Sequence, residues 1–442
     1  MQFSGLLNSL IKSDKTVVWL TWILRLLLGA VFLYSGFAKA VDPWGSQYKI
    51  ADYFQAWGLS FSDGIYLTAG CILSGFEFLI GTLLVTGAFR RAVSWCVTLF
   101  MTVMTALTLY IWIADPVSDC GCFGDAFVLS NSATFWKNVV LLELSLILLK
   151  WNKQVRSLIH RRLQWLILIF TGLYVIVIQV IGYHIQPLVD FRPYPVGSNL
   201  KEIIEESDTD DRMMFIYEKD GQQKEFDVNN LPDDSWTFVE RVENEAPNHH
   251  PGLAIFDDEE DVTSEVISGE GREFILTVTN PEEHKLSRSE MANRLKAYAD
   301  STDATMIAIV AIPTDSLQSW IDYTGADYDV FTAEDTDLKM LVRGEAGLTM
   351  LEDGEIKWKR NLGAIDPYFP EDATGVDGIS AIENSGLLTR LTVVWLLFLF
   401  VTYVLSRFYR RWNRHCQQRK KKKELKKDVK TDKSQPNEEI NG

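Results

Sequence analysis

Cys120-Gly121-Cys122-Phe123-Gly124-Asp125 stands between two long apolar runs, 92–113 and 134–150. A helix needs about 20 apolar residues to cross the hydrocarbon core of a bilayer. The hexapeptide therefore reads as the tip of a helical hairpin in a membrane. Working outward, apolar runs at 17–38, 64–87, 163–185 and 388–408 bring the candidate spans to six. The run 134–150 is the shortest and also suits a buried helix. Trp19, Trp22, Tyr110, Trp112, Trp136, Trp151, Trp165 and Tyr183 gather at the ends of these runs, the interfacial position that amphipathic rings prefer. The first run is too long for a cleaved signal and reads as a retained anchor. These features predict a multi-pass α-helical membrane bundle.

Lysine and arginine give the orientation. Lys12 and Lys15 precede the first run, and Arg90 and Arg91 join the second to the third. Lys150, Lys153, Arg156, Arg161 and Arg162 join the fourth to the fifth, and Arg407, Arg410, Arg411, Arg414 and the lysines 420–423 follow the sixth. All of these fall on one side if both termini are cytoplasmic. The opposite loops, 39–63 and 114–132, hold only Lys39 and Lys49. In a bacterial inner (plasma) membrane the cysteine loop and residues 186–387 then face the periplasm, where disulfides persist. The formal net charge of −16 comes from an acidic stretch at 186–386, and the basic residues concentrate at 407–427. Such a balance argues against nucleic acid as a partner and for the lipid bilayer.

The chain divides into a four-helix bundle (1–150), a fifth span (151–185), a connector with a small β-hairpin (186–250), an α/β domain (251–365), a linker (366–387), the sixth span (388–408) and a basic, disordered cytoplasmic tail (409–442). In the first outer loop, 48–57 is an amphipathic helix, either lying on the bilayer or covering a site. The hairpin pairs 213–217 with 224–228 across Asp220-Gly221. His249-His250 is read as a solvated linker, with metal binding as the alternative. From 252 to 362 the order is strand (274–279), helix (289–300), strand (306–312), helix (316–323) and a hairpin (348–351 with 356–359). That order resembles the thioredoxin-like fold. The chain departs from it in having no cysteine between Cys122 and Cys416, and Ala346-Gly347 where that family places a cis-proline. Thiol exchange needs a thiolate, so this domain is read as a redox-inactive binding module.

Three charges lie inside the spans: Arg25, Glu77 and Glu143. Counted from the cytoplasmic ends at ~1.5 Å per residue, their depths match within about 5 Å. They are expected to form a buried charge cluster, which either fixes helix packing or serves a proton or substrate. Cys120 and Cys122 are a redox pair, a structural staple or, less suitably, two ligands of a metal that would want four. Gly121 lets the backbone bring the sulfurs together, while Asp115, Asp119 and Asp125 are expected to raise both thiols. Cys71 is a candidate auxiliary thiol. Cys96 lies near the other membrane face and Cys416 in the tail. No metal site is expected.

The run from Arg25 through Gly29, Ser35, Gly36 and Lys39 to Asp42-Pro43 resembles the first helix of the DoxX/MauE superfamily, and Glu77 with Gly81 fits its second. Cys120-Gly-Cys-Phe-Gly124 with Trp136-Lys137-Asn138 is similar to the methylamine utilisation (MauE) branch. With the Asp190-Phe191-Arg192-Pro193-Tyr194 connector, the whole resembles multidomain proteins of the Bacteroidetes type. The resemblance implies a part in maturing disulfide-rich periplasmic methylamine dehydrogenase and hence in the methylamine metabolic process. It also implies a likeness to quinone-linked disulfide-forming enzymes, with quinone as electron acceptor. The expected function is thus an inner-membrane thiol/disulfide redox or maturation protein whose outer domain docks a periplasmic client. The rivals are a non-catalytic membrane scaffold and a small-solute transporter using Arg25, Glu77 and Glu143.

Overall fold

The computed structural model describes residues 14–117, 119–155, 157–210, 214–219, 222–227, 236–242, 252–281, 286–365, 376, 379 and 382–432. They form two units: Met1–Ala40, Lys49–Val177 and Leu388–Gly442 in one, Val41–Tyr48 and Ile178–Leu387 in the other.

The first unit is helical. Its helices are α1 (Asp14–Val41), α3 (Asp63–Thr86), α4 (Arg90–Ala114), α5 (Asn131–Lys150), much of α6 (Gln164–His184) and most of the last helix, Ile382–Asp432. A shorter helix, α2 (Pro43–Ala56), follows α1. Among the described residues six helices are long and apolar enough to cross a membrane, and they coincide with the six runs read from the sequence. Phe32, Ile80, Leu84, Val97, Met101, Leu141 and Leu148 form the inner core. Outward faces carry Trp19, Ile72, Leu99 and Ile113 exposed, as a lipid-facing surface requires.

Two kinds of contact set the packing of these helices. Between α1 and α3 the backbones touch: a Cβ at Gly81 would lie 2.6 Å from the Leu33 nitrogen, and one at Gly29 would lie 2.7 Å from Val85 Cγ2. Between α4 and α5 the contact is polar, with Thr98 Oγ1 donating to the Ser145 carbonyl at 3.3 Å and Asn138 Nδ2 to Thr108 Oγ1 at 3.2 Å. Apolar burial gains little between helices already in lipid, so small residues and interhelical hydrogen bonds take over. The last helix meets α6 through a stacked Tyr174–Trp395 pair with ring centroids 5.0 Å apart. The tail expected to be disordered from 409 continues this helix to Asp432. Its lysines, arginines and glutamines are good helix formers with no proline before Pro436.

In the second unit α7 (Leu200–Asp210) precedes β1 (Met214–Lys219), β2 (Gln222–Asp227) and β3 (Thr237–Val242), an antiparallel sheet in the order β2-β1-β3. The turn expected at Asp220-Gly221 and the His249-His250 pair lie outside the described residues, as does most of the linker 366–387. The larger sheet contains β4 (Phe256–Asp257), β5 (Glu260–Asp261), β6 (Arg272–Val278), β7 (Thr305–Val310), β8 (Asp329–Thr332), β9 (Ala346–Glu352) and β10 (Glu355–Asn361). Its order is β10-β9-β6-β7-β8-β4-β5. Helices α8 (Leu286–Ser301) and α9 (Thr314–Thr324) cross between the parallel strands, and α10 (Asp335–Leu341) leads into β9. Asp353 and Gly354 both have positive φ, 51° and 76°, the backbone that a tight two-residue hairpin turn demands.

Alternation along β6 sends Phe274, Leu276 and Val278 into one core and Ile275 into the other. The connector is tied in by charge: Arg192 grips Asp190 at 2.6 and 2.8 Å, and the buried Lys359 reaches Asp190 at 3.3 Å. Within this unit too, Asp42 caps α2 by accepting from the Gly45 nitrogen at 2.9 Å, with Pro43 at the first helical position. Its other oxygen pairs with Arg343 at 2.9 Å.

Candidate functional site

The site grows from the loop between α4 and α5. Gly121 and Gly124 take φ of 59° and 56°, conformations that a side chain resists. With Gly121 turned this way the neighbouring thiols converge, and Cys120 Sγ lies 2.9 Å from Cys122 Sγ. Both cysteines are free. The gap is about 0.9 Å longer than a disulfide bond, so closing it requires little movement.

Helix α2 covers one side of the loop. Lys49 and Tyr53, one turn apart, face it together. Lys49 Nζ pairs with Asp119 Oδ2 at 2.5 Å, and Tyr53 donates its hydroxyl to the Cys120 carbonyl at 2.7 Å. Asp119 uses its second oxygen to accept from the Gly121 nitrogen at 2.7 Å. Of the two sequence readings for 48–57, this contact favours the cover over a helix lying idle on the bilayer.

The bundle supplies the other side. Ser35 and Lys39, one turn apart on α1, meet Glu77 on α3, all three buried. Lys39 Nζ lies 2.9 and 2.8 Å from the two Glu77 oxygens and 3.1 Å from Ser35 Oγ. Ser35 Oγ sits 2.8 Å from Glu77 Oε2 and 2.6 Å from the Cys122 carbonyl. Lys137, in the first turns of α5, rests its ammonium 4.2 Å from the centre of the Phe123 ring. Below Cys122 these groups and Asn138 line a small, partly open cavity of about 40 Å³ whose other walls are apolar. Across the loop a second, open cleft of about 330 Å³ runs between α2 and Asp119.

This surrounding reverses the electrostatic expectation for one of the two thiols. Cys122 is pulled down to about 6, first by the hydrogen bond from Cys120, then by Lys137 and Lys39, with burial opposing. Cys120 is pushed up, first by its hydrogen bond with Cys122 and then by burial. The nearby aspartates do not dominate, because Asp119 is paired with Lys49 and Asp115 accepts from Asn131 Nδ2 at 2.8 Å. Alkylation of the reduced protein should therefore rise to half its maximal rate near pH 6 at Cys122. Lys137→Gln should move that midpoint upward. A midpoint at the ordinary thiol value near 8.5 in the unaltered protein would refute the assignment.

The expected Arg25–Glu77–Glu143 cluster does not assemble. Glu143 is exposed on α5, and Lys39 pairs with Glu77. Arg25 donates to the Leu84 carbonyl at 2.9 Å and the Val85 carbonyl at 2.7 Å, beneath the Trp22 ring. It thus serves the C-terminal end of α3, where a cation is favoured by the helix dipole. Cys71, half-buried on α3, forms no disulfide and does not line the cavity. Cys96 is exposed. Among the described residues no three His, Cys, Asp or Glu side chains gather as a metal site would need. Lys39, Ser35, Lys49, Tyr53 and Lys137 were not read as site residues from the sequence. Ser35, Lys39 and Lys137 did stand within the stretches that carry the family resemblance.

Six spanning helices, four of them gathered under a thiol loop, define a multi-pass membrane protein. Residues 17–150 match the family model described as methylamine utilisation protein MauE, so this part of the chain is MauE-like. Residues 212–245, which include the three-stranded sheet, match a model described as a domain of unknown function (DUF8463). No curated protein and no solved structure matches the chain.

Proposed function

We propose that this is a thiol/disulfide redox or maturation protein of a bacterial inner membrane, with Cys120 and Cys122 as the working pair. One observation carries the reading: two free sulfurs stand 2.9 Å apart, with lysines from α1 and α5 lining the cavity on the Cys122 side. A thiolate is the species that attacks a disulfide, and that side of the pair favours one. Cys122 attacks a client disulfide and Cys120 then displaces the client, or the pair runs in reverse and oxidises a client dithiol.

The distribution of lysine and arginine supports cytoplasmic termini and a periplasmic segment 186–387. A hairpin, β9–β10, beside the parallel pair β6–β7 joined by α8 supports a thioredoxin-like reading of the outer domain. Without a cysteine it would bind a client rather than react with it.

A second reading has a specific observation behind it. Lys49 and Tyr53 pin the loop from above, as they would around a permanent staple in a non-catalytic scaffold. Mass-tagged alkylation in intact cells separates the two. For turnover, blocking respiration should shift Cys120 and Cys122 measurably from disulfide to thiol. A pair that stays wholly oxidised in both conditions would sink the redox reading.

A further inference from the structure

At the end of the bundle away from the thiol loop, three stretches of chain meet: the α3–α4 turn, the segment 151–163 and the last helix. The Leu158 nitrogen donates to the Thr86 carbonyl at 2.9 Å, and the His160 nitrogen to Ser406 Oγ at 2.6 Å. Residues 87–91, 150–164 and 406–422 are rich in lysine and arginine and contain no aspartate or glutamate. Topology explains why such residues share a side. It does not explain why some of them are fastened in place.

Arg162 Nη1 donates to the Tyr409 hydroxyl at 2.8 Å, and the His160 ring packs on the same tyrosine with centroids 4.6 Å apart. Arg410, the next residue along, gives Nη2 to the Ser157 carbonyl at 2.9 Å. Arg90 gives Nη1 to the Lys153 and Val155 carbonyls at 2.8 and 3.0 Å. A guanidinium carries five N–H donors in a planar fork. One or two donors spent on anchoring leave the rest for an oxygen-rich anion, and a cation already held loses less freedom when it binds. Cations fastened close together repel one another, and a bound anion relieves that repulsion. Beside them Trp165, Phe408 and Trp412 are 60 %, 66 % and 60 % exposed, rings of the kind that sit at headgroup level. A water-soluble anion would leave those rings uncovered, whereas a phospholipid sets its phosphate on the cations and its glycerol and chains over the rings.

We infer that this end of the bundle holds the phosphate of an anionic phospholipid, with Arg162 and Arg410 as its main contacts and Arg90 in support. Arginine suits the task because one guanidinium can give a phosphate two parallel N–H bonds. Lys420, Lys421 and Lys422, exposed farther along the last helix, add attraction at a distance but no seat. The site is independent of what the thiols do.

The test uses the full chain, stripped of lipid in detergent and offered dioleoyl-phosphatidylglycerol or dioleoyl-phosphatidylcholine under native mass spectrometry. Phosphatidylglycerol should bind about tenfold more tightly or better. Arg162→Gln/Arg410→Gln should erase most of that preference. Lys421→Gln/Lys422→Gln, which removes the same amount of charge, should keep it. Equal losses in the two variants would mean diffuse attraction and overturn the site. Complete displacement of the lipid by millimolar inorganic phosphate would assign the cations to a free anion and overturn the lipid. Should the arginine variant not fold, the unaltered chain still decides. A phosphatidylglycerol with a photoreactive headgroup should label peptides 153–165 and 406–412, and label found instead on 114–132 would refute the placement.

Discussion

Lys39→Met should destabilise the membrane bundle by about 3–5 kcal/mol, the range for a buried ion pair that loses one partner. Lys39 and Glu77 are 7 % and 3 % exposed, so neither charge has water to fall back on. Without the ammonium, the Glu77 carboxylate keeps only Ser35 among the partners given above. Removing both charges should undo most of the damage, because a buried pair replaced by apolar residues of similar size is often neutral. Lys39→Met/Glu77→Leu is thus expected to unfold near the wild-type midpoint in detergent, and Lys39→Met alone far below it. Equal midpoints for the single variant and the wild type would show that the pair does not hold α1 to α3. Lys39→Met alone should also raise the Cys122 titration, and the double variant should raise it less, since Lys39 lowers it and Glu77 opposes.

Gly36→Leu should be at least as damaging, for a steric reason. A Cβ at position 36 would fall on the Phe78 nitrogen and lie 2.8 Å from both Phe78 Cα and the Ser74 carbonyl oxygen. These are backbone atoms of α3 and cannot swing aside as a side chain can. Overpacking typically costs about 1–3 kcal/mol when side chains can yield, and here a whole helix must move. Ser35 precedes Gly36 and Lys39 follows it by three, so pushing α1 outward also withdraws both from Glu77. The expected result is a sharp fall in folded protein and a Cys122 alkylation midpoint returned toward that of an ordinary thiol. Gly172→Ala is the control, because a Cβ there meets nothing within 4 Å. If Gly36→Leu folds as well as that control, the close approach of α1 and α3 is not required.

The spans were readable because hydropathy accumulates over some 20 residues and tolerates a stray charge. Glu77 was equally visible, as a carboxylate inside an apolar run. Its partner was not. Lys39 stands just past the apolar run 17–38, so it counted as a loop residue, whereas α1 in fact continues to Val41. Arg25 and Glu143 matched Glu77 in depth but not in azimuth, and depth alone cannot say which way a side chain faces. The loop aspartates misled for a related reason: composition placed three negative charges beside the thiols, yet the lysines that outweigh them come from other helices. In the second unit, β6, β7 and the β9–β10 hairpin were clear from apolar strands and the Asp-Gly turn. The four-residue β8 and seven-residue α10 were missed because neither is long enough to show a period.

Ser35 carries a single hydroxyl hydrogen but stands within bonding distance of two acceptors, the Glu77 carboxylate and the Cys122 carbonyl. It can satisfy only one of them at a time. Lys39 already donates to both Glu77 oxygens, so the hydroxyl can be spared for the loop, and a shift of α1 against α3 changes which acceptor it serves. The seating of one helix on another inside the bundle is thereby made audible at the peptide unit of Cys122.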